Sequence, residues 1–128
     1  MTIYRDEVAR LSKTLYPHDD LTRQIKAAKF YIDKNFSEDI NLDKIAGKAL
    51  VSKFHFIRVF NRYYGRTPNQ YLQEVRIEKA KKILLRGKSI DEVCNAIGFK
   101  SKTSFISLFK RMTGVTPLAY QNKKSNFE

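Results

Sequence analysis

Apolar side chains along this chain recur every three or four residues, and no stretch keeps up the alternation of a half-buried strand. The pattern predicts an all-α chain. Ile3, Val8, Leu11 and Leu15 mark a first, weakly patterned helix, ended by Pro17 and the polar His18-Asp19-Asp20 stretch. Asp20 is placed to cap a second helix whose Ile25, Ala28, Ile32 and Phe36 share one face. Asn41 caps a short helix over Leu42 to Ala49, and Leu50 and Val51 form a turn. Ser52 then opens a helix to about Tyr64, with Gly65 as its left-handed stop. Thr67-Pro68 is a cap followed by proline at the first helical position, where the missing N–H costs nothing. That helix reaches about Arg86 and stops at Gly87. Ser89 and Glu92 have the spacing of a capping box for a short helix ending near Ile97. Gly98-Phe99 turns the chain, Ser101 opens a further helix ended by Gly114, and Thr116-Pro117 repeats the earlier restart.

The restart belongs to a longer repetition. Phe56, Phe60, Arg62, Gly65, Thr67, Pro68 and Tyr71 return as Phe105, Phe109, Arg111, Gly114, Thr116, Pro117 and Tyr120, each 49 residues on, from 56 to 105 through 71 to 120. Upstream, Leu42, Asp43, Ile45 and Ala46 align with Ile90, Asp91, Val93 and Cys94 at a displacement of 48, so the second copy has one extra residue in its turn. The chain therefore holds two copies of a short helix, a turn and a longer helix. Residues 1–20 form an extension, 21–67 a first unit, 68–87 a connecting helix, and 88–128 a second unit with a tail.

A short helix, a tight turn and a second helix set across it is a helix-turn-helix, whose second helix fits the ~12 Å major groove of DNA. Charge gives that pattern its weight. The 128 residues carry 25 Lys and Arg against 13 Asp and Glu, a formal net charge of +12, which suits nucleic acid, an anionic membrane surface or an acidic protein. Six basic residues and no acid lie between Asp43 and Glu74, and again between Glu92 and Glu128. Both candidate DNA-reading helices fall in these stretches.

On the first of them Phe56, Phe60 and Tyr63 make the core face, which turns Phe54, Ile57, Arg58, Asn61 and Arg62 outward. Arg58 has the fork that pairs with guanine, while Phe54 and Ile57 either touch thymine methyls or pack on the preceding helix. On the second helix the corresponding face is Lys102, Thr103, Ile106 and Ser107, with Lys110 and Arg111 near its end. Short or flexible side chains make this copy more a phosphate clamp than a reader. The phosphate-contacting set is Ser52, Lys53, His55, Arg62, Lys100, Ser101, Lys110 and Arg111, with plain surface as the alternative for His55. The helix between the units, about eighteen residues, is ~27 Å long. Arg76, Lys79, Lys81, Lys82 and Arg86 make it basic, and Ile77, Ala80, Ile83 and Leu84 give it an apolar face.

Other classes fit less well. No apolar run reaches the ~18 to 20 residues of a membrane span, and the first twenty residues lack a signal-peptide core, so the expected compartment is the cytoplasm. A basic helix lying on a membrane needs a continuous apolar face, and these faces are used by the core. Cys94 is the only cysteine, and His18 and His55 are the only histidines, too few for a zinc site or a nucleophile with its base. No cofactor is expected. An architectural, sequence-independent DNA binder fits the charge but leaves two aligned reading helices without a purpose.

The residues resemble the AraC/XylS family of bacterial transcription activators over about Leu21 to Lys124. The resemblance rests on Leu42-Asp43-Lys44-Ile45-Ala46, Phe56-Ile57-Arg58-Val59-Phe60, the stretch from Arg76 to Leu85, Ile97-Gly98-Phe99, and Phe105 to Arg111 with Gly114-Val115-Thr116-Pro117. It implies two helix-turn-helix units joined by a long helix, an asymmetric site on duplex DNA, and activation through contact with RNA polymerase. The resemblance also implies base contacts from Phe54, Ile57 and Arg58 and from Lys102, Thr103, Ile106 and Ser107. The tandem repeat itself points to a monomer on the DNA, since two reading helices in one chain supply what a dimer of single units would otherwise provide. Many members have arginine where this chain has Ser107. The similarity is to short members made of the DNA-binding domain alone, either a stand-alone regulator or a fragment of a longer chain.

Overall fold

A computed structural model describes residues 18–125 apart from Ala49, and among them every regular element is a helix. These are α1 (His18–Asn35), α2 (Leu42–Lys48), α3 (Lys53–Tyr64), α4 (Pro68–Leu85), α5 (Ile90–Ile97), α6 (Lys102–Thr113) and α7 (Pro117–Ser125). The helix expected over Ile3 to Leu15 lies outside the described residues. By its contacts the chain divides into two compact units: residues 18–34 with Asn41–Pro68, and Asn35–Ile40 with the chain from Asn69 onward.

Local chemistry sets the helix ends. The Asn41 side chain accepts from the Lys44 amide at 3.1 Å and so starts α2. Ser89 and Glu92 close a full capping box at the head of α5: the Glu92 amide donates to Ser89 Oγ at 3.2 Å, and the Ser89 amide donates to Glu92 Oε2 at 3.0 Å. Thr116 Oγ1 accepts from the Ala119 amide at 3.1 Å ahead of Pro117. One expected cap is displaced. Helix α1 begins at His18, three residues earlier than a cap at Asp20 predicts, so Asp20 sits in its first turn and not at its cap.

In the first unit Leu21, Ile25, Ala28 and Ile32 of α1 are buried, with Ala46 of α2 and Phe56, Val59 and Phe60 of α3. Phe56 and Phe60 stack at a tilt with ring centres 6.1 Å apart, and Tyr64 closes on Phe60 at 4.9 Å. Tyr63 is not on this core face as expected: it is 47% exposed and its hydroxyl donates to Thr22 Oγ1 at 3.4 Å, while Val59 fills the interior. Both choices satisfy helical spacing, and the interior takes the side chain with no hydroxyl to satisfy.

The second unit is built on Ile77, Ala80 and Leu84 of α4, Val93, Cys94 and Ile97 of α5, and Phe105, Leu108 and Phe109 of α6. Phe105 and Phe109 repeat the roles of Phe56 and Phe60, and Tyr120 of α7 meets Phe109 edge-on at 5.6 Å. Phe36, expected on the apolar face of α1, lies just beyond that helix and packs instead on this second core. It is part of the strap Asn35–Ile40. Arg76 of α4 holds the strap, Nε donating to the Phe36 carbonyl at 2.6 Å and Nη2 to that of Glu38 at 3.0 Å, with the guanidinium 5.6 Å from the Phe99 ring centre. Gln121 of α7 donates through Nε2 to the carbonyls of Leu84 at 2.8 Å and Lys88 at 2.9 Å, closing the end of α4.

Candidate nucleic-acid interface

Each unit pairs a short helix with a longer one: α2 packs on α3 and α5 on α6. After α2 the amides of Leu50 and Val51 return to the carbonyls of Gly47 at 3.0 Å and Ala46 at 3.2 Å. Ser52 then caps α3, its Oγ accepting from the His55 amide at 3.1 Å. In the second unit Gly98 makes the turn, with the Phe99 amide donating to the Cys94 carbonyl at 3.0 Å. Ser101 caps α6 through the Ser104 amide at 3.2 Å. Both serine hydroxyls thus serve their own helices first, and both serines remain exposed.

With Phe56, Val59 and Phe60 inside, α3 presents Phe54, Arg58, Asn61 and Arg62 to solvent, with Ile57 half-buried at their edge. Phe54 is 71% exposed, so the packing alternative does not hold for it. Ile57 is half-buried, and its exposure does not choose between the two alternatives. Arg58 Nη2 lies 3.5 Å from His55 Nδ1, which draws the guanidinium toward the first turn. Helix α6 presents Lys102, Thr103, Ser107, Lys110 and Arg111, while Ile106 is half-buried and packs on the core, leaving only part of its side chain outward. Thr103, Ser107 and Arg111 share an open hollow of about 410 Å³ with Gln73 and Phe99, a lining that the sequence pattern did not disclose. No acidic residue stands in the first turn of either helix.

Three of the lysines assigned to DNA are paired within their own unit. Lys53 Nζ lies 3.8 Å from Asp43 and 5.7 Å from the Phe54 ring centre, Lys102 Nζ 3.4 Å from Asp91, and Lys100 Nζ 3.1 Å from Asp39. The signal for the first two is in the repeat, where an aspartate early in the short helix precedes a lysine opening the long one in both copies. On α4 the expected basic rod is partly engaged elsewhere: Arg76 holds the strap, Lys79 lies 5.7 Å from the Phe36 ring centre, and Lys81 pairs with Glu78 at 2.9 Å. Burial lowers the Arg76 guanidinium from its usual value and Asp39 opposes the shift, though an arginine stays charged throughout.

A helix-turn-helix domain family matches residues 45–123. Among solved structures the chain is similar to a transcriptional regulator with an AraC-type DNA-binding domain from Chromobacterium violaceum, with a TM-score of 0.70 and 28% identity over 80% of this chain and 92% of that one. The chain belongs to the AraC/XylS family of DNA-binding transcription regulators. It is also similar to the DNA-binding domain of AdpA, a global transcriptional factor, in complex with a target DNA, with a TM-score of 0.72 and 27% identity over 77% of this chain and 90% of that one. To the bifunctional transcriptional activator and DNA repair enzyme AdaA of Bacillus subtilis strain 168 it is 38% identical over 92 residues, 71% of this chain and 44% of AdaA. The chain spans 32% to 61% of the length of the first curated relatives it matches.

Family and fold are those of regulators and not of enzymes. Cys94 is buried in the second core, and burial, with Asp91 nearby, pushes its thiol above the usual range, the opposite of an activated nucleophile. Among the described residues no three His, Cys, Asp or Glu side chains gather as metal ligands, and no helix is long and apolar enough to cross a membrane.

Proposed function

We propose that the chain binds duplex DNA sequence-specifically, as a monomer on an asymmetric site, and activates transcription in contact with RNA polymerase. One observation carries the DNA reading: the same serine-capped helix, buried on two phenylalanines and basic and acid-free on its outer face, occurs twice in one chain. The likeness to AdpA bound to its target supports it. Activation and the polymerase contact rest on the family.

Arg58 and Asn61 carry the hydrogen-bonding groups suited to base edges, with Phe54 and Ile57 as apolar contacts; Thr103 and Ser107 offer less selective ones. Lys102 and Ile106 complete the base-facing set. Ser52, Lys53, His55, Arg62, Lys100, Ser101, Lys110 and Arg111 hold the backbone. Selection of binding sites from random duplexes, followed by titration of a selected and a scrambled duplex across salt, tests this. The selected duplex is expected to bind more tightly at every salt concentration, with log K falling by about 0.9 per phosphate contact for each unit of log salt. Equal affinities at moderate salt would leave only an architectural binder.

A further inference from the structure

The two units carry an ion pair at the same place in the repeat, Asp43 with Lys53 and Asp91 with Lys102. Each lysine is the first residue of its outward-facing helix, and each aspartate stands in the first turn of the short helix before it. All four side chains are between 41% and 75% exposed, a setting in which an ion pair adds little to folding. A cation in the first turn also works against the helix dipole, so neither lysine serves its own helix. A position poor for folding and repeated in both copies is explained by what the lysine meets outside the chain; each aspartate suits the first turn of its own short helix and, from that place, also reaches the lysine.

We infer that Asp43 and Asp91 are intramolecular counter-charges, each occupying the lysine at the start of a DNA-facing helix and yielding it only when a duplex seats that helix. The inference rests on the DNA-binding reading above. Sequence-independent affinity comes almost wholly from cations that displace counterions at phosphates. A lysine already paired must exchange a carboxylate for a phosphate, and the displaced carboxylate is then left beside the polyanion. Attachment to arbitrary DNA is held down, and the share of affinity left to base contacts rises. Asp39 stands in the same relation to Lys100, just ahead of α6.

The test titrates a mixed-sequence duplex of about 25 base pairs, enough for two successive groove faces at ~10 base pairs each, across a range of salt. The variants are Asp43→Asn, Asp91→Asn and their combination, each also made with Lys53→Gln or Lys102→Gln in the same unit. Each asparagine is expected to tighten binding about two- to fivefold, the scale of an exposed ion pair, and the double variant by about the product. The gain should vanish in the matching Lys→Gln background, while urea unfolding confirms that the variants fold. Unchanged affinity overturns the inference, as does weaker binding, which would make the aspartates positioning groups for the lysines. An equal gain without the lysine overturns it too, since that is diffuse repulsion. If the unaltered protein separates a selected from a scrambled duplex while the asparagine variants bind as it does, only this inference falls; if it binds neither duplex, the DNA reading falls with it.

Discussion

Leu50 and Gly98 occupy corresponding turns in the two units, and the backbone is left-handed at both, with φ of 59° and 85°. A side chain in that region costs roughly 1 to 2 kcal/mol, and Leu50, 92% exposed, has no burial to offset it. Leu50→Gly is therefore expected to raise stability by about 0.5 to 1 kcal/mol once the extra freedom of glycine in the unfolded chain is counted. Gly98 differs in its surroundings, because a Cβ there would stand 2.5 Å from the Ser37 carbonyl oxygen, whereas one at Gly114, with φ of 87°, would meet nothing within 4 Å. Gly98→Ala should cost clearly more than Gly114→Ala in urea unfolding, and equal costs would remove the role given to the Ser37 contact. Residue-level rules of this reach were legible in the sequence. Asn41, Ser52, Ser89 with Glu92, and Ser101 each bond an amide three residues away, so spacing alone locates them. Where spacing admits two answers it cannot choose, as with Val59 and Tyr63.

At the scale of elements, the strap Asn35–Ile40 shows what spacing leaves out. Arg76 reads in sequence as one cation on a basic helix, yet its partners lie 40 and 38 residues away at Phe36 and Glu38. Gln121 likewise reaches 37 and 33 residues back. No local rule links such positions, because the bonds exist only after the second core has formed. The Arg76 bonds use two nitrogens of one rigid fork, both aimed at backbone carbonyls, and its plane lies near the Phe99 ring. Arg76→Ala is expected to cost roughly 1.5 to 3 kcal/mol, the worth of charge-assisted hydrogen bonds. Arg76→Lys should recover little, since a single ammonium cannot reproduce the fork. Urea unfolding measures the loss, and amide exchange across the strap locates it; an unaltered midpoint for Arg76→Ala would remove Arg76 as the anchor of the strap.

For the molecule as a whole, the two copies are alike in frame and unlike in outward chemistry. Phe56 and Phe60 have their counterparts in Phe105 and Phe109, and the same serine caps and glycine stops bound α3 and α6. Outside, the first unit offers Arg58 and Asn61 with an exposed Phe54, and the second offers Thr103, Ser107, Lys110 and Arg111. Forked and amide side chains discriminate base pairs, whereas hydroxyls and flexible cations mainly hold phosphates. The expected division is a reading unit and a clamping unit within one chain, so the protected site should be asymmetric. On a selected duplex, hydroxyl-radical footprinting should show two protected segments about one helical turn apart, ~34 Å along the axis. Arg58→Ala should lose ~1 to 3 kcal/mol and relax preference at one base pair inside a single segment. Lys110→Ala should weaken all sequences alike and lower the salt slope by about one contact. Protection confined to one segment, or a palindromic footprint requiring two chains, would count against two working units per monomer. A uniform loss of affinity from Arg58→Ala, with base preference intact, would reassign that arginine from the bases to the backbone.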